Sequence, residues 1–139
     1  MSGFTLDPRL EADSAFVMDL ALSQLRLQND ARYLWCVLVP RREGLAELDD
    51  LSASDRAALM EEAVAAGAVI RAVAQVDKIN TGALGNIVRQ LHVHVIGRRE
   101  GDAAWPGPVW GHGAAEPYKP AVLEAHIAAL KQALAQARP

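Results

Sequence analysis

Residues 89 to 98 read RQLHVHVIGR, and they hold two of the four histidines of a 139-residue chain. His92 and His94 are two apart, with Gln90 two positions before them. In an extended strand, side chains at alternate positions share a face. The spacing therefore predicts that Gln90, His92 and His94 point one way while Leu91, Val93 and Val95 pack on the other. Core packing does not need the imidazoles, although half-exposed sheet faces often carry polar residues with no further role. Two chemistries suit the pair. Neutral imidazoles can ligate a metal, but a third ligand is needed. Glu100 follows six residues after His94 and His112 sits in a Gly-His-Gly context, so neither makes an obvious set. Alternatively, one ring could attack phosphorus. A backbone carbonyl holding one ring nitrogen would fix the tautomer and free a lone pair on the other, and the second imidazole could donate to phosphate oxygens or to a leaving group. At an ordinary pKa of about 6.5 such a ring is mostly neutral at pH 7.

The elements that must position these residues follow from patterning. SAFVMDLALSQLRLQ (14–28) alternates as two short strands, and QNDAR is a polar turn. YLWCVLVP is a nearly continuous apolar run that reads as a buried central strand ended by Pro40. RREGLAELDD is a loop. Ser52 is a good helix N-cap with Asp55 three residues on. Leu59, Ala63, Ala66, Ile70 and Val73 then mark one face of a helix from about Ala53 to Gln75. Gly82 and Gly85 interrupt a strand-like start in KINTGALGNIVRQ, and LHVHVIG alternates as a strand. A long Pro- and Gly-rich segment, RREGDAAWPGPVWGHGAAEPYK, has the look of a functional or partner-facing loop. Pro120 opens a last helix with Leu123, Ile127, Leu130 and Leu134 in a stripe. The connections within each strand group are too short for parallel crossovers, so the layout is α+β with a mostly antiparallel sheet of about five strands. A metal-dependent β-protein using His92 and His94 would leave both long helices unplaced.

Composition bounds the function. The chain is 51% hydrophobic and 22% charged, with net charge −3 and pI near 5.8. That is an ordinary globular balance, expected to form one domain over 1–139, and it argues against nucleic-acid binding through a broad basic surface. Arg89, Arg98 and Arg99 still put local positive charge beside the histidines. Cys36, the single cysteine, reads as an inert core thiol. With no internal disulfide, no signal-peptide pattern and no run approaching about 20 apolar residues, a cytoplasmic protein without a membrane span is expected. Trp105 and Trp110 read as loop packing or a dimer contact in preference to a base-stacking platform. His126 lies off the stripe of the last helix and should be solvated.

QLHVHVI resembles the signature of the histidine triad (HIT) family, His-φ-His-φ-His-φ-φ with φ apolar, with Gln90 at the first histidine's place. NTGALGNIVRQLHVHVIGR is similar to the family's Asn-x-Gly…Gly-Gln/Asn stretch at Asn80, Gly85 and Asn86, and AWPGPVWG resembles its tryptophan-proline tail. The resemblance covers roughly 14–113, with the final helix at about 120–137 beyond it. It implies a HIT-like α+β fold, a homodimer, and a nucleotide hydrolase or nucleotidyl transferase. The α-phosphate would be attacked by His92 to form a nucleotidyl-histidine, with His94 assisting. The resemblance further implies a small-molecule nucleotide substrate, such as a dinucleoside polyphosphate or a nucleoside phosphoramidate. Asn80, Gly85, Asn86 and Gln90 would serve binding. No metal is implied, though a divalent cation could accompany a polyphosphate. Three positions depart from the family pattern. Gln90 replaces a supporting imidazole, and Trp35 stands where a histidine bonds to that first triad member. Ile87 replaces a phosphate-donating serine or threonine. A non-catalytic nucleotide-binding module is the alternative.

Overall fold

The computed structural model describes residues 3–137. A five-stranded sheet runs β1 (Ser14–Asp19), β2 (Ser23–Gln28), β3 (Leu34–Pro40), β4 (Lys78–Gly82) and β5 (Val93–Arg98), in spatial order β1-β2-β3-β5-β4. Every pairing is antiparallel. Three α-helices accompany it among the described residues, α1 (Pro8–Asp13), α2 (Ala53–Val73) and α3 (Pro120–Ala137), with a 3-10 turn at Leu48–Asp50. The α+β architecture read from the patterning is the one observed.

One sheet face is closed by α2 and α3. Ser52 Oγ accepts from the Asp55 backbone N–H at 3.1 Å and caps α2, satisfying one of the orphan donors of its first turn. Leu59, Ala63, Ala66 and Ile70 of that helix then bury against Leu25, Leu27, Cys36, Leu38, Val93 and Val95, with Ile127, Leu130 and Leu134 of α3 completing the cluster. Gly67 and Gly97 admit this close approach. A Cβ at Gly97 would stand 2.7 Å from Ile70 Cγ2 and from Val76 Cγ1. Glu62, on the same helix, turns its carboxylate to the backbone N–H groups of Leu22 and Ser23, so α2 also holds the β1–β2 turn. Burial pushes the Cys36 thiol up to about 12, in keeping with an inert core residue.

The other face is closed by irregular chain. Leu10 of α1, with Phe4 and Leu6 before it, meets Tyr33, Trp35, Val37, Val39 and Ile96, while Ala104, Val109 and Trp110 fold over from the far end. The Pro- and Gly-rich segment, read from the sequence as a functional or partner-facing loop, is therefore packed on the sheet through its 104–110 stretch. Its base is an ion pair. Arg98, 1% exposed, meets Asp102 through two 2.8 Å bonds, and the guanidinium holds the Asp102 carboxyl below the usual carboxylate range. Asp102 in turn accepts from the backbone N–H groups of Arg99 and Trp105. Arg98 is thus a structural residue and not part of a free positive flank.

Among the described residues no helix is long and apolar enough to cross a membrane.

Candidate active site

β5 starts at Val93, later than the alternation of LHVHVIG suggests. Its ladder with β4 ends where Gly82 faces His94, and its ladder with β3 ends where Leu38 faces Val93. Gly85 bends the chain away at φ +72°, a conformation that favours glycine. Leu91 is held instead by the Leu45 carbonyl of the loop after β3, at 3.0 Å. Even so, alternation persists through the irregular approach. Leu91, Val93 and Val95 enter the helix-covered core, and the rings of His92 and His94 lie 4.8 Å apart, edge to face.

The two imidazoles are held by different partners. Nδ1 of His92 is 2.7 Å from the Gln90 carbonyl oxygen. A carbonyl only accepts, so Nδ1 carries the proton and Nε2 presents a lone pair. Nδ1 of His94 accepts from the indole N–H of Trp35 at 3.0 Å. The proton of the neutral His94 ring is therefore on Nε2. Burial, and secondarily the neighbouring His92, push His94 down to about 4, so it is neutral at pH 7. Side by side stand one ring with a lone pair and one with an N–H. The pair suits attack on an electrophile whose oxygens need a donor.

Both rings line an open cavity of ≈220 Å³ with Leu84, Gly85, Asn86, Ile87 and Val88. A smaller hollow of ≈90 Å³ adjoins it across His92, bounded by Ala46, Glu47, Leu48 and Leu91. Trp110 closes the far side of His94, its ring 5.5 Å away, and packs over Gly82, where a Cβ would meet the indole at 3.1 Å. Ile87 stands 80% exposed at the cavity rim. Asp7 faces His92 from the N-terminal segment, its carboxyl lowered first by hydrogen bonds from Arg9. Arg9 also donates to the Ile87 carbonyl, so α1 is tied to the cavity wall.

A family model described as the HIT domain matches residues 9–101. The chain is 48% identical to a histidine triad protein of Sinorhizobium meliloti, with TM-score 0.91 over 94% of this chain and 96% of that one. The chain belongs to the HIT family. Histidine triad proteins of Bradyrhizobium japonicum (40% identity, TM-score 0.91, 94% and 98% covered) and Marinobacter aquaeolei (38%, 0.92, 97% and 98%) are similar throughout as well. No curated protein matches the chain.

Of the site residues expected in this HIT protein, His92, His94, Gly85 and Asn86 come together at one cavity. Two do not join them. The Gln90 amide is turned to the N-terminal segment, donating to the Thr5 carbonyl at 2.9 Å and accepting from the Asp7 N–H at 2.8 Å. Its contribution to His92 comes through its backbone carbonyl alone. Asn80 is committed through Oδ1 to Arg98 at 2.8 Å, beside Asp102, and it does not line the cavity. It braces the β4–β5 end of the sheet instead. His112 lies away from the imidazoles, where its carbonyl accepts from Arg32. His126 is half-buried against Tyr118, with 5.1 Å between ring centroids, and is not simply solvated. The residue that sequence reasoning undervalued is Trp35, which supports His94 directly. Its signal was its position: Trp35 pairs with Ile96, one diagonal step from His94.

Proposed function

We infer that this HIT protein is a nucleotide hydrolase or nucleotidyl transferase in which Nε2 of His92 attacks the α-phosphate. The observation that carries the reading is the 2.7 Å contact between His92 Nδ1 and the Gln90 carbonyl. It prepares the nucleophilic nitrogen before substrate arrives, and it accepts a hydrogen bond from Nδ1–H that strengthens as the ring gains positive charge in the nucleotidyl adduct. His94 donates Nε2–H to the phosphoryl oxygens, while Gly85 and Asn86 line the cavity wall. Gln90 occupies the first position of the triad without an imidazole. That position's side chain braces the N-terminal segment here, and support of His94 falls to Trp35.

The family's fold, helices included, leaves no place for the all-β metal protein that His-x-His also suggests. A divalent cation would arrive with a polyphosphate substrate. The molecule works as a cytoplasmic homodimer. The sheet-edge strand β4 and the exposed Met60 and Val64 of α2 support that assembly, as does an apolar hollow of ≈270 Å³ between them bounded by Leu48, Thr81 and Ala83. A non-catalytic nucleotide-binding module is the competing reading. Turnover of diadenosine tetraphosphate and of an adenosine phosphoramidate by wild type and His92→Ala separates the two. The enzyme reading requires cleavage of at least one by wild type and none by the variant, with the variant still folded. Tight nucleotide binding without turnover in both proteins would establish the module.

A further inference from the structure

The Trp35–His94 contact constrains chemistry as well as geometry. An indole N–H donates and cannot accept, so Nδ1 of His94 must remain a bare acceptor for the 3.0 Å bond to exist. A second proton on the ring would set N–H against N–H between two side chains that are only 7% and 8% exposed. Among the described residues no carboxylate acts on the ring to favour the cation, and His92 is the titratable group that does act on it, by repulsion. Trp110 packs edge to face against the ring from the loop, and Gly82 faces it from β4.

We propose that Trp35 is a specificity-determining residue which, by holding His94 as a neutral Nε2–H donor, directs the site to nucleotides whose leaving group departs as a stable anion and away from those that release an amine. This rests on the nucleotidyl-transfer reading and names its substrate class. With a phosphoanhydride, the His92 Nε2 lone pair forms the N–P bond and the bridging P–O bond breaks. Its electron pair leaves on the phosphate oxygen, and no proton is required. Water then attacks phosphorus and the P–N pair returns to Nε2. The water's proton passes to solvent, freeing the nucleoside monophosphate. With a phosphoramidate the bond that breaks is P–N to the substrate amine, whose nitrogen must gain a proton as it departs. A neutral imidazole that cannot become imidazolium is a hydrogen-bond donor but a poor acid. Trp35 acts through His94, so it is a positioning residue.

The test is kcat/KM for a matched adenosine pair, diadenosine tetraphosphate and an alkylamine phosphoramidate of AMP, with wild type, Trp35→Phe and Trp35→His. Nitrogen-15 NMR of His94 accompanies it, reading the tautomer between pH 7 and pH 5. Wild type should favour the anhydride by roughly the 10²–10⁴ that general acid catalysis is worth, and His94 should stay Nε2–H across that range. Trp35→His places an acceptor opposite Nδ1 and should let His94 take up a proton and narrow the preference by about tenfold or more. Trp35→Phe removes the indole donor but leaves the burial that depresses the ring, so His94 should stay neutral there and lose only its fixed tautomer. The proposal is overturned if wild type cleaves the phosphoramidate as efficiently as the anhydride. It is equally overturned if His94 protonates in a variant while the preference stands unchanged. Absence of turnover of both substrates, with no nucleotidyl adduct, would remove the nucleotidyl-transfer reading and this proposal with it. Turnover of the anhydride with an unfavourable ratio removes this proposal alone.

Discussion

The two faces of the sheet are built on different principles. Against α2 and α3, the contacts are apolar and non-directional: Leu25, Leu38 and Val95 meet Ile70 and Leu130, all fully buried. On the opposite face, buried polar atoms meet specific partners. Trp35 bonds His94, Arg98 bonds Asp102 and Asn80, and the Gln90 carbonyl holds His92. Burial on the first face stabilises in proportion to area, whereas on the second the bonds to His92 and His94 decide which ring nitrogen carries a proton. One face contributes packing alone, while the other adds to its own apolar cluster the contacts that set what the protein can do. Substitutions should therefore separate into those that change stability with chemistry intact and those that do the reverse.

The largest separation is expected at His94. His94→Ala should slow nucleotidylation by ~10²–10⁴, the usual worth of a positioned acid–base group, and still form some adduct because the attacking ring remains. Pre-steady-state quench kinetics would show this, and loss as complete as in His92→Ala would mean the two rings act as one unit. On the helix-covered face, Leu38→Ala should cost about 2–5 kcal/mol in denaturant unfolding, the range for cavities at fully buried leucines. At temperatures where the variant is folded its kcat should match wild type. A large fall in kcat would show that the faces are not independent.

Acid tests the same contrast. The unfolded His94 ring takes a proton near its ordinary 6.5, while burial delays uptake in the folded protein to about 4. Stability must therefore fall as pH drops through that window, by on the order of 3 kcal/mol once both limits are passed. His94→Gln, whose amide oxygen can still accept from Trp35, should flatten that part of the profile. An unchanged pH dependence would place the acid-sensitive group elsewhere. The smallest effect belongs to Gln90→Leu. It strands the Thr5 carbonyl and the Asp7 N–H at about 1–3 kcal/mol if both stay unsatisfied, and it loosens the N-terminal segment in hydrogen exchange. The backbone carbonyl at position 90 survives, so His92 should keep its tautomer and most of its rate. A collapse in kcat would give the glutamine side chain a role at the imidazoles after all.

How much of this was legible in sequence follows from the same division. Periodicity reported the helix-covered face well, because Leu59–Ile70 on α2 and the alternation of β5 are local patterns that repeat. The α1 helix was missed: six residues with one buried apolar side chain, Leu10, carry no periodicity. The Asp7-Pro8 pair, an N-cap and a first-turn proline, was its local signature. His92 and His94 were legible as a pair because two-residue spacing is local too. Their partners were not all so. Trp35 is 59 positions from His94, and the Gln90 amide reaches across 83 and 85 positions to Asp7 and Thr5. No spacing rule reports contacts of that span. Asn80 stands outside the cavity for a related reason: its side chain is claimed by Arg98, whose burial depends on a loop the sequence left open. Family resemblance supplied the cavity wall at Gly85 and Asn86, where composition alone suggests only a turn.

The central claim is that His92 Nε2 becomes bonded to phosphorus. Wild-type protein mixed with an adenine nucleotide substrate, quenched under alkaline conditions that preserve phosphoramidates and mapped by peptide mass spectrometry, should carry one nucleotidyl group on His92. The label should be absent from His92→Ala and reduced in rate of formation in His94→Ala. Turnover without any adduct, or an adduct on a residue other than His92, would contradict the account.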